Sequence, residues 1–72
     1  MKPTALKEIR DKSRLMYGLL TVLKDEVDVL RYDANNGDIP HLLKSANDVN
    51  ITIEKLDNLI EEIEYILYLN AY

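Results

Sequence analysis

Asn35-Asn36-Gly37-Asp38-Ile39-Pro40 is the stretch whose reading decides the fold. Gly37 can take the left-handed conformation that ends a helix, and Asn35 or Asn36 can do so nearly as well. Asp38 stands where an N-cap belongs. Pro40 follows in the first turn, where a missing N–H costs nothing. A stop signal abuts a start signal, and so short a connection makes two flanking helices antiparallel neighbours.

Both flanks read as helix. Before the break, apolar residues recur every seven positions in two rows: Leu6, Ser13, Leu20, Val27, Ala34 and Ile9, Met16, Leu23, Leu30. After it the rows are Leu42, Val49, Leu56, Ile63, Asn70 and Ala46, Ile53, Ile60, Leu67. Alternating steps of three and four place both rows of a segment on one helical stripe, and such a seam needs a partner helix. The spacing predicts helix 1 over about 4–33, a loop over 34–38 and helix 2 over about 39–69. Thr4 is the expected N-cap of helix 1, although Lys7 stands where a capping box would place Glu. Ser45-Ala46-Asn47-Asp48-Val49-Asn50 is the weakest part of helix 2, because several of its residues prefer caps and turns. The seven-residue phase crosses it without a slip, which favours one continuous helix. Closing the hairpin on these rows sets Val27 near Ala46, Leu20 near Ile53, Ser13 near Ile60 and Ile9 near Ile63.

Further apolar residues flank the seam. Leu15, Leu19, Val22 and Val29 widen the stripe of helix 1, and Leu59, Ile66 and Leu69 widen that of helix 2, with Ile51 as an outlier. A lone hairpin has one mating surface, so these seven flank residues form the expected oligomer interface. Burying a Leu, Ile or Val side chain contributes roughly 1.5–3 kcal/mol. In sum that offsets an association cost of about 4–15 kcal/mol. The expected architecture is all-α: an antiparallel helical hairpin assembling into a four-helix bundle or a larger homo-oligomer.

Composition agrees. Seventy-two residues make one small domain, near the size where a single core barely suffices, and there is no Cys for a disulfide or thiolate metal site. The 47% apolar and 31% charged content fits a folded helical protein. No apolar run reaches the roughly 20 residues that span a bilayer. The start lacks the apolar stretch of a secretory signal, so a cytoplasmic location is expected. Charge is uneven. Residues 1–15 carry five cations against two acids, while the rest carries four against eleven, giving −4 overall. An acidic body repels duplex nucleic acid.

Catalytic chemistry is sparse. His41 is the only histidine and reads as a surface residue. Asp57, Glu61 and Glu64 share a face but read as solvated carboxylates. Ser13 and Ser45 have no His–acid pair to activate them. No Gly-rich phosphate loop is present, and Gly18 reads as tolerated surface. The residues imply no enzyme, no metal and no cofactor.

One constellation points to binding. Lys7, Arg10 and Arg14 share a face of helix 1, with Tyr17 a turn beyond, and the hairpin brings the end bearing Tyr65, Tyr68 and Tyr72 alongside. Cations beside tyrosine rings grip phosphates, stack bases or meet acidic protein surfaces. The expected function is a non-enzymatic protein–protein interaction module, a small helical oligomer that inhibits, adapts or regulates another macromolecule, with a viral or plasmid-borne origin left open. Its partners would be itself and another protein. The alternative is a binder that sequesters a small anionic ligand, such as a signalling nucleotide, between subunits.

Overall fold

A computed structural model describes residues 1–71; Tyr72 lies outside the described residues. The chain forms α1 (Pro3–Asn36) and α2 (Ile39–Leu69), packed against each other as an antiparallel hairpin. Among the described residues there is no strand, and no helix is long and apolar enough to cross a membrane. The rod measures 53 × 15 × 11 Å. Its thinnest dimension is the width of one helix, so the hairpin is a single layer. Its radius of gyration, 16.4 Å, exceeds the roughly 11 Å of a compact domain of this length.

Local sequence accounts for the helix ends. α1 begins before the expected Thr4, because Pro3 at the first helical position has its φ preset and no N–H to satisfy. Lys2 occupies the cap position, and its carbonyl accepts the Leu6 N–H at 3.2 Å. The far end of α1 also runs past the expected 33, through 34–36. Of the three residues able to adopt the left-handed conformation, Gly37 takes it (φ 65°, ψ 25°), since it alone lacks the Cβ that makes that region costly. Gly37 N–H donates to Ala34 O and Asp38 N–H to Asp33 O, both at 3.2 Å, which is a Schellman closure. Asp38 then starts α2, accepting from the His41 N–H through its side chain and from Leu42 N–H through its carbonyl. One residue ends the first helix and caps the second.

α2 is unbroken through 47–50. Ser45 and Thr52 turn their hydroxyls across the hairpin, where Ser45 Oγ donates to Asp33 Oδ2 at 2.7 Å and Thr52 Oγ1 donates to Glu26 Oε1. Hydroxyls that would otherwise compete for the helix backbone are held by α1 instead.

The seam differs from the expected one. The rows Ile9, Met16, Leu23, Leu30 and Leu42, Val49, Leu56, Ile63 do line it. Their companions are Ala5, Lys12, Leu19, Glu26, Asp33 on α1 and Ser45, Thr52, Leu59, Ile66 on α2. The expected companion rows are exposed, so Val27 and Ala46, Leu20 and Ile53, and Ser13 and Ile60 are not packed into the seam. Both helices are rotated by one row, about 50° on a seven-residue wheel. The hydroxyl–carboxylate pairs hold that rotation, because turning either helix back by a row would break both bonds.

Candidate functional site

The rotation gives the rod two unlike long faces. On one, Lys12, Glu26 and Asp33 of α1 meet Glu62, Thr52 and Ser45 of α2. Lys12 Nζ lies 3.0 Å from Glu62 Oε2, an ion pair open enough to water to contribute only about 0–1 kcal/mol. Beside it lies an open depression of about 700 Å³, touched by Glu8, Lys12, Asn58, Glu62, Tyr65 and Ile66.

The opposite face carries four apolar rows and no charge. Its centre is Ile9, Met16, Leu23, Leu30 with Leu42, Val49, Leu56, Ile63. Outside these run Leu6, Ser13, Leu20, Val27, Ala34 on α1 and Ile39, Ala46, Ile53, Ile60, Leu67 on α2. Leu6, Leu20, Val27, Ile53, Ile60 and Leu67 are each 38–50% exposed. Ser13 is the one hydroxyl among the α1 rows, and it donates to Ile9 O at 2.7 Å, so no donor dangles there. Charge begins only at the borders. Arg10, Lys24 and Arg31, with Tyr17 between them, edge the face along α1, and Leu43, Asn50, Asp57 and Glu64 edge it along α2.

The residues expected at an oligomer interface scatter across this geometry. Leu19 and Leu59 are half-buried and Ile66 is buried, all inside the hairpin seam, where the rotation has drawn them. Leu15, Val22 and Val29 are exposed along the margin of the hydrogen-bonded face, in a row that also holds Glu8 and Asn36. Leu69 is exposed at the open end, near Lys2 and Asn70. Sequence periodicity alone does not mark the uncharged face, because it places these rows in the seam. The signal lies in the recurrence of Lys12, Glu26 and Asp33 at multiples of seven residues, opposite Ser45 and Thr52.

Among the described residues the cation–tyrosine cluster does not form within one chain. Lys7 and Arg14 lie on the back of α1, turned away from α2, and Arg10 and Tyr17 lie one row further round. Tyr68 is on the back of α2, while Tyr65 borders the depression beside Lys12. Tyr72 lies outside the described residues. Among the described residues Lys7, Arg10 and Arg14 have no ion-pair partner within 4 Å.

At the bend His41 Nδ1 contacts Asp38 Oδ2. The hydrogen bond to Asp38 holds the His41 pKa above its ordinary 6.5. The hydrogen bonds from His41 hold Asp38 below its ordinary 3.8. No three His, Asp or Glu side chains among the described residues gather as a metal site. No protein-family model, curated protein or solved structure matches this chain.

Proposed function

We propose that the chain is a non-enzymatic protein-interaction module whose uncharged hairpin face is a protein-binding surface, and that the small helical oligomer it forms acts by docking, as an inhibitor, adaptor or regulator of another macromolecule. One observation carries this reading: six large aliphatic side chains stand half open on a face that holds no charge, while the polar pairs between the helices sit on the other side. Each loses about 1.5–3 kcal/mol of transfer free energy when fully exposed. At 38–50% exposure the six together leave about 4–8 kcal/mol per chain unrealised. That is on the scale of the association cost of about 4–15 kcal/mol, and the mating surface of a partner adds to it. A monomer rarely leaves so long an apolar strip bare without a use for it.

Reading the protein as a binder of a small anionic ligand has less support, because Tyr65 and Tyr68 stand on other faces than Lys7, Arg10 and Arg14. A second chain would have to bring rings to the cations.

Photocrosslinking from single positions in the native cell tests the proposal. A benzoylphenylalanine in place of Leu20 or Ile53 is expected to give a discrete protein adduct, and one in place of Asp48 none. Absence of any protein adduct from both apolar-face positions would overturn the reading.

A further inference from the structure

We infer that the uncharged face is covered by a second copy of this chain, laid face to face with its bend at the same end, so that each helix of the resulting four-helix bundle has antiparallel neighbours. This rests on the interaction reading above and names the partner of that same face.

Area comes first. The chain exposes 5678 Å². A compact monomer of 8.4 kDa exposes about 4,600 Å². The excess, about 1,100 Å², exceeds the roughly 800 Å² that each partner buries in a standard stable interface. The 11 Å thickness of the rod is one helix layer, and domains are built from two packed layers. An equal layer supplies the second.

The face also matches itself. Two hairpins can stack face to face about a two-fold axis along the rod or about one across it. Rotation along the rod preserves height, so residues level within one hairpin are level between two. In step with Lys12–Glu62, Leu6 and Ser13 come level with the partner's Leu67 and the partner's Ile60; in step with Glu26–Thr52, Val27 falls between the partner's Ile53 and the partner's Ala46. The small Ser13 opposes a large residue and Val27 enters a gap between two, as interdigitating layers require.

Charge separates the two axes. Rotation along the rod lays the cationic border of α1 on the acidic border of α2: Arg10 comes level with the partner's Glu64, and Arg14, one row behind, with the partner's Glu61. Cations that lack an ion-pair partner in their own hairpin thereby gain one. Rotation across the rod lays α1 on α1 and α2 on α2, setting Arg10, Lys24 and Arg31 against one another and carboxylates against carboxylates. Like charges at such edges suppress the wrong pairing.

The full chain decides the matter in solution. Sedimentation equilibrium at micromolar concentration is expected to give twice the 8.4 kDa chain mass; a single-chain mass, or any assembly other than two, overturns the inference. The chain has no Cys, so Asn35→Cys gives a unique spin-label site beside the bend. Label separations well below the 53 Å rod length are expected, and a separation near that length overturns the arrangement. Arg10→Glu is expected to raise the dimer dissociation constant about tenfold, and adding Glu64→Lys to recover most of the loss. No effect of the first change, or no recovery by the second, overturns the edge pairing. Leu20→Asp is expected to weaken the dimer more than about a hundredfold; should it unfold the chain, the native mass and the label distance still decide. A solitary chain that crosslinks another protein through positions 20 and 53 removes this inference and leaves the interaction reading standing, whereas a chain with no adducts loses both.

Discussion

The two long faces of the hairpin are drawn from one seven-residue repeat, yet they solve opposite problems. On one, Asp33 with Ser45, Glu26 with Thr52 and Lys12 with Glu62 close the helices by directed bonds. On the other, Leu6, Leu20, Val27, Ile53, Ile60 and Leu67 present area without direction. Directed bonds fix an angle of rotation; apolar area does not, because an aliphatic row packs almost as well one step round. A small chain therefore uses its polar pairs to choose how its helices meet and leaves its larger apolar surface unspent. Placed the other way, the same residues would have made a drier seam, with Glu26 and Asp33 turned out to solvent.

Substitutions can test this division. The largest effect is expected at Leu56, which belongs to a shared central row and is 8% exposed. Leu56→Ala should destabilise the chain by about 2–4 kcal/mol in urea unfolding. Leu15→Ala, on the margin of the hydrogen-bonded face at 60% exposure, should stay within about 0.5 kcal/mol. Equal losses at the two positions would erase the distinction between the faces.

Next is the pair that sets the rotation. Ser45→Ala leaves the Asp33 carboxylate buried without its donor and should cost about 1–3 kcal/mol. Chemical-shift changes should spread along Leu19, Leu59 and Ile66 as the helices turn. A loss confined to residues 33 and 45 would mean that the rotation is held elsewhere.

Gly18 lies on neither face, and a Cβ there would meet nothing within 4 Å. Gly18→Ala should raise stability by about 1 kcal/mol, readable as a higher midpoint with the mass in solution unchanged.

The smallest effect is at the bend. His41, with a raised pKa, stabilises fully below about 6.5, and that contribution fades as pH rises through its folded value. Asp38, with a lowered pKa, stabilises above about 3.8 and loses its contribution as pH falls through its folded value. Thermal midpoints should therefore show a shallow plateau between these limits, and His41→Asn should remove the alkaline decline. An unchanged decline in that variant would exclude the pair as its source.

Much of the fold was legible because its causes are local. Gly37 for a left-handed stop, Asp38 for a cap, Pro40 in a first turn and an unslipped repeat through Asn47–Asn50 all act within a few residues. α1 outruns its expected limits at both ends, with Pro3 starting it early and 34–36 continuing it up to Gly37, which takes the left-handed position as expected. The surface was less legible. Leu19, Leu59 and Ile66 read as flanks and pack inside, while Leu20, Ile53 and Ile60 read as seam and stand outside. Lys7, Arg10 and Arg14 share a helix side, as their spacing requires, but nothing in the spacing sets Tyr65 or Tyr68 apart from them.

By itself, then, the sequence determined two amphipathic helices, their lengths to within a turn, the bend and the antiparallel sense, because hydrogen bonding, backbone sterics and periodicity act along the chain. Only the tertiary structure decided which rows face each other. Each helix has more apolar rows than one partner can cover, and the choice among them belongs to contacts such as Asp33–Ser45 and Glu26–Thr52, whose members meet only when both helices are in place.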